Sequence, residues 1–186
     1  MSNNQSPNNI SQRIAAEAKR WLHVVEHGKN AGFNDPVFEH NMRELGWRPG
    51  QAWCAYFCKM IWLNVYEDSE LYDVLDKVLS ASVLVTWRNA KASPIIKTSE
   101  KPVVGGIVCW GTGNGKGHEG IHIEIRDEFN TVTIEGNTTR AGVREGDKVM
   151  VKRRKLQPTA KHNGDWRYLG TIIPPDHGNN ITESII

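Results

Sequence analysis

The chain is 186 residues long, one domain's worth, with 39% hydrophobic residues, 24% charged residues and a formal net charge of +2. These are the proportions of a folded globular protein. They exclude a wholly disordered chain, a collagen and a coiled coil, and the charge is too small to mark a binder of nucleic acid or another polyanion.

In chain order, the opening Met-Ser-Asn-Asn-Gln-Ser-Pro-Asn-Asn has neither the basic nor the apolar region of a signal peptide. No apolar run nears the ~18 residues a membrane helix needs. The expectation is synthesis in the cytoplasm with no membrane insertion. Residues 1–10 read as a disordered tail and 174–186 as a flexible one, flanking a single domain over 11–173. Up to about residue 90 the apolar period is helical. Ile14, Ala18, Leu22 and Val25 share one face, with Gly28 as the stop. Asp35 and Pro36 supply an N-cap and a first-turn proline for a short helix ending near Gly46. Trp53, Phe57, Met60, Ile61 and Val65 make a third stripe, and Leu71, Val74, Leu75 and Val78 a fourth. Later the period becomes two. Strands are predicted over 107–110, around Ile121 to Ile125, around Val132 and Ile134, and over 148–154 and 167–173. A helical part (11–90) followed by a sheet part (104–173) predicts an α+β fold with an antiparallel sheet of about five strands.

Cys54 is the most informative residue. It follows a Gly/Pro loop and opens the third helix, where unpaired N–H groups and the positive end of the dipole favour a thiolate. Three cysteines in all are too sparse for a disulfide scaffold. Cys58, a turn deeper in the helix, and Cys109, inside an apolar strand, read as packing residues. A catalytic thiolate wants an imidazolium beside it. His118 and His122, at the Gly-rich entry to the second strand, are the candidates, and at about 13 Å apart along a strand they cannot serve one site. The next strand carries Thr133, Glu135 and Asn137. If Ile125 pairs with Asn130, Asn137 falls opposite His118 with Glu135 diagonal to it. A slip by two puts Glu135 opposite His122, and periodicity allows either register.

Gln-Ala-Trp-Cys-Ala-Tyr-Phe (51–57), Ser-Val-Leu-Val-Thr-Trp (82–87), Gly-Gly-Ile-Val-Cys-Trp-Gly (105–111), Gly-His-Glu-Gly-Ile (117–121) and Thr-Ile-Glu-Gly-Asn-Thr (133–138) stand in one order and spacing. That series resembles the CHAP domains, the cysteine, histidine-dependent amidohydrolases/peptidases, relatives of the NlpC-type peptidases within the papain-like fold. Glu26, Asn30 and Gly32 upstream and Arg-Glu-Gly-Asp-Lys-Val (144–149) downstream are similar to its single-domain phage and bacterial members, and the resemblance runs from about residue 12 to 173. It implies Cys54 as nucleophile, His118 as base, Glu135 as the group orienting the imidazole and Asn137 as a polar helper. It therefore implies the first hairpin register. Many members carry a glutamine oxyanion donor immediately before the cysteine. Here Trp53 holds that place and Gln51 lies three residues back, so Gln51, Trp53 and Trp110 are the oxyanion or substrate candidates. The implied activity is cleavage of an amide bond in bacterial peptidoglycan, at the N-acetylmuramoyl–L-alanine link or within the peptide stem. The expectation is that no metal or cofactor takes part, that the protein is a monomer, and that it reaches the wall by phage-type release or non-standard secretion.

Two other classes compete. His23, Glu26 and His27 match the H-x-x-E-H pattern of a zinc hydrolase, though Gly28 follows directly and no third ligand is visible. A non-catalytic wall-binding or phage structural module would keep Cys54 for packing alone. From Arg140 to Lys161 eight positive and two negative charges give net +6, leaving −4 on the rest. Such a run could grip an anionic polymer but reads better as a solvated strand edge.

Overall fold

The computed structural model describes residues 9–112, 114–138, 146–156 and 166–175. The expected tails lie outside these residues over 1–8 and 176–186. At both ends the domain reaches further than 11–173. Asn9 accepts a hydrogen bond from the Ser11 amide to cap the first helix, Ile10 is buried, and the Tyr66 hydroxyl donates to the Pro175 carbonyl at 2.6 Å.

Five helices are described: α1 (Ile10–Arg20), α2 (Pro36–Glu44), α3 (Cys54–Val65), α4 (Tyr72–Val78) and α5 (Val83–Ala92). Six strands follow: β1 (Lys97–Ser99), β2 (Ile107–Gly111), β3 (Gly117–Ile125), β4 (Asn130–Thr138), β5 (Lys148–Lys155) and β6 (Arg167–Ile173). They form one antiparallel sheet in the order β1-β6-β2-β3-β4-β5. The architecture is α+β as expected, with one strand more than predicted. No helix among the described residues is long and apolar enough to cross a membrane.

Local chemistry sets most of the helices. Asp35 caps α2 by accepting from the Val37 and Phe38 amides, with Pro36 in the first turn, as the sequence predicts. The first helix is shorter than its apolar period. The Trp21 N–H bonds back to the Ala18 carbonyl and the Leu22 N–H to that of Lys19, which ends it, and Leu22 and Val25 are exposed. The chain then runs extended, with Val25 bridging Lys148 of β5 and Glu26 bridging Phe33. Pairing with the sheet edge has overridden the helical pattern. In α3, by contrast, only Lys59 and Asn64 escape full burial, because it is the central helix against β3 and β4. Trp62 is a core residue whose indole N–H donates to the Gly105 carbonyl at 3.0 Å.

The main core lies between the helices and one sheet face, with Ile107, Cys109, Ile121 and Ile134 pointing into it. The opposite face is also covered. A smaller cluster of Val108, Trp110, Leu156 and Tyr168 sits there, beside the buried polar residues His122, Thr131, Thr133, Glu135 and Thr171. β5 is an outer strand, so the Lys148–Lys155 part of the basic run forms a sheet edge with Val151, Arg153 and Lys155 exposed, while 140–145 and 157–161 lie outside the described residues.

Candidate active site

The β3–β4 hairpin fixes which histidine meets which carboxylate. At the far end of the hairpin Ile121 pairs with Ile134 and His122 with Thr133, while near the loop Ile125 pairs with Thr131. A bulge at Ile123 separates the two registers. Beyond the bulge the pairing, Ile121 with Ile134 and His122 with Thr133, is that of the first register anticipated from the sequence. At the loop end it is shifted by one residue.

His118 Nε2 lies 2.8 Å from Glu135 Oε2, and Cys54 is close enough to the same imidazole to favour its protonated form. With Nε2 held by the carboxylate, Nδ1 is the nitrogen left for the thiol. Cys54 is 7% exposed and the His118 side chain 18%, so the pair touches solvent without being open to it. Burial disfavours the charged ring, but hydrogen bonds and charge from Cys54 and Glu135 outweigh it and push His118 up to about 10. Burial would likewise raise Glu135, yet the Arg154 charge and its hydrogen bonds, joined by His118, hold that carboxyl well below the usual range. The imidazole therefore carries the proton and the carboxylate does not.

Two glycines let these groups meet. A Cβ on Gly136 would come within 2.6 Å of the Trp53 ring and 2.8 Å of Phe57 Cβ, so its absence lets the first turn of α3 settle on β4. A Cβ on Gly120 would overlap Glu135 Cγ, so the carboxylate occupies the space of a missing side chain. No side chain caps α3 at Trp53, which leaves first-turn N–H groups beside the thiol for a developing negative charge.

Trp53 does not line a cleft. It is wholly buried, its indole N–H donates to Glu26 Oε2 at 2.8 Å, and its ring packs edge-on against Phe33 and Phe38. Trp110 is also sealed. It stacks on His118 with ring centroids 6.0 Å apart, and Arg154 lies over it at 5.1 Å. It backs the imidazole. Gln51 is exposed in the loop before α3. Its carboxamide oxygen accepts from the Arg48 amide at 2.7 Å and faces the Tyr56 hydroxyl at 3.4 Å, which leaves its NH2 as the end able to donate. Asn137 stands in the left-handed region at φ 54° beside a bulge in β4, with a buried Oδ1 that has no hydrogen-bond partner among the described residues.

His122 has a different environment. Its nitrogens meet Thr131 Oγ1 at 2.8 Å and Thr171 Oγ1 at 3.0 Å, and burial pushes it down to about 3. It is a neutral core histidine. The H-x-x-E-H residues are not on a helical face, since α1 ends at Arg20. His23 Nε2 sits 2.6 Å from Asp35, and Glu26 accepts from the Asn30 amide and the Trp53 indole. Among the described residues no group of three or more His, Cys, Asp or Glu could hold a metal ion.

Sequence reasoning missed Arg154 and Trp166, and placed Thr133 beside Glu135 without giving it a role. Arg154 Nε donates to Glu135 Oε1 at 2.7 Å and Nη2 to Oε2, and the Thr133 hydroxyl donates to Oε1 at 2.6 Å. Trp166 meets the His118 ring edge-on at 6.3 Å. The period-two pattern of the basic run was the available signal for Arg154, but periodicity does not say which strand that run pairs with. Compared with family models, curated proteins and solved structures, the chain matches none.

Proposed function

We propose that this protein is a papain-like, CHAP-type cysteine amidohydrolase that cleaves an amide bond in bacterial peptidoglycan. The observation that carries the reading is a thiol at an uncapped helix start, beside an imidazole that is held at Nε2 by a buried carboxylate. Five sequence motifs in order, resembling those of CHAP domains, supply the substrate class.

The chemistry follows from the geometry. The Cys54 sulfur attacks the amide carbonyl carbon, and the carbonyl π electrons move to oxygen, where first-turn N–H groups of α3 meet the oxyanion. The intermediate collapses as the C–N bond breaks, and the His118 imidazolium gives its proton to the leaving amine. A thioester remains on Cys54. Neutral His118 then takes a proton from water, the hydroxide attacks the thioester, and a carboxylic acid leaves with Cys54 restored. Glu135 holds the ring in place throughout and does not take the proton.

The test is clearing of a suspension of purified bacterial cell walls. Clearing that is abolished by iodoacetamide and unaffected by EDTA is the expected result. Clearing that survives alkylation and is lost with EDTA would replace the mechanism with a zinc hydrolase. No clearing under either condition would make the protein a non-catalytic wall-binding or phage structural module.

A further inference from the structure

Glu135 is completely buried, and its two oxygens accept four hydrogen bonds: Thr133 Oγ1 and Arg154 Nε on Oε1, Arg154 Nη2 and His118 Nε2 on Oε2. Half of these come from one residue on the outer strand of the sheet. The same guanidinium lies over Trp110, which also stacks on the His118 ring. Arg154 thus reaches the imidazole twice, through the carboxylate that orients it and through the indole that backs it. We propose that Arg154 is a positioning residue of the hydrolase, fixing the Glu135 carboxylate and supplying the positive charge that lets it stay ionised beside the Cys54–His118 pair. The assignment rests on the cysteine-hydrolase reading for its purpose, and its test uses a readout that needs no substrate.

Charge balance gives the argument its direction. In the reactive form of the pair, with the sulfur as thiolate and the ring protonated, the Glu135 carboxylate and the Arg154 guanidinium complete a set of two anions and two cations in a largely buried site. Removing Arg154 leaves one anion in excess, and a buried excess anion binds a proton. Whether that proton sits on Glu135 or on Cys54, the assembled pair with an ionised orienting group then forms only at higher pH. Other ionisable groups face the cluster. Cys58 and Cys109 are pushed well up by burial, as is Glu119, whose carboxyl is raised further by charge at Cys54. His122 is neutral, and Lys152 beside Arg154 is pushed down by partial burial and by the Arg154 charge. Lys152 is also within electrostatic reach of Glu135, but it is Arg154 that donates to both carboxylate oxygens. A guanidinium suits the place because its fork satisfies both carboxylate oxygens while its flat face covers an indole.

The experiment is the rate of Cys54 alkylation by iodoacetamide as a function of pH, followed by peptide mass spectrometry on the folded protein. Cys58 and Cys109 are fully buried, so the native-state signal belongs to Cys54. In Arg154→Gln the acid limb of the profile is expected to move up by one pH unit or more, making Cys54 tenfold or more slower on that limb. Arg154→Lys, which restores the charge but not the fork, is expected to return the limb to its wild-type position. Arg154→Met, which keeps the apolar stem over Trp110, is read alongside in case the glutamine variant does not fold. A neutral variant that folds and keeps the wild-type limb would overturn the proposal, as would a lysine variant shifted as far as the neutral ones. If walls are not cleared but the limb moves, Arg154 keeps its role and the hydrolase reading fails.

Discussion

Glu135 fills the space that a side chain on Gly120 would take: the two residues are neighbours across β3 and β4, and a Cβ on the glycine would overlap the Glu135 Cγ. The glycine of the Gly-His-Glu-Gly-Ile motif is therefore tied to the carboxylate of the next strand, and through it to His118. Gly120→Ala is expected to push Glu135 off the imidazole and lower kcat by about 10²-fold. The check is wall clearing by a variant with a wild-type circular dichroism spectrum. A folded Gly120→Ala protein with wild-type kcat would show that the contact does not matter.

The two histidines separate by what each replacement damages. His118→Ala removes the proposed acid for the leaving amine and is expected to cost about 10²–10⁴-fold in kcat, with the fold intact. His122→Ala leaves the buried Thr131 and Thr171 hydroxyls without their ring partner and is expected to cost about 1–3 kcal/mol of stability. The protein that still folds should turn over normally. Urea unfolding paired with kinetics on both variants checks this, and the reverse pattern would exchange the roles of the two rings.

His122 also makes a pH prediction. Its ring is held down to about 3 in the folded protein against 6.5 when free, so below pH 6.5 the unfolded chain binds a proton that the folded one refuses. Its contribution is complete above pH 6.5 and is lost as pH falls toward 3. His118 works in the opposite sense, its contribution being present below pH 6.5 and lost as pH rises toward about 10. A comparison that holds His118 fixed isolates the first effect. The unfolding free energy of wild type relative to His122→Gln is expected to fall by about 1.4 kcal/mol per pH unit below 6.5. A difference that stays flat between pH 6 and 4 would contradict the assignment.

Much of this site is legible in the sequence because it is local or periodic. Asp35-Pro36 announces α2 by cap chemistry alone, and Cys54 after a Gly/Pro loop announces a thiol at a helix start. His118, Glu135 and Asn137 fall on one hairpin whose parity allows two registers, and family resemblance selects the one the site uses. What is not legible depends on partners distant in sequence. The first helix stops at Arg20 because the residues after it join β5, and β1 is a three-residue strand that exists only by pairing with β6. Arg154 lies 19 residues from the carboxylate it clamps, inside a run whose composition suggests only a solvated edge. Trp53 and Trp110 sit in motifs that suggest a cleft, but each is sealed by neighbours that no periodicity reveals.

Trp53 gives a stability prediction distinct from catalysis. Trp53→Phe removes the donor to Glu26 Oε2 in a buried setting and is expected to cost about 1–3 kcal/mol, with KM unchanged. Denaturation midpoints and steady-state kinetics on the same preparation check both halves. A raised KM with unchanged stability would return Trp53 to the substrate cleft.

The most direct measurement is mass spectrometry of purified peptidoglycan digested by wild type and by Cys54→Ala. The wild-type digest is expected to contain fragments ending in a new free amine and a new carboxylate at one amide linkage, and the Cys54→Ala digest none. The same new ends produced by a folded Cys54→Ala protein would contradict a mechanism in which that sulfur forms the bond to the acyl group.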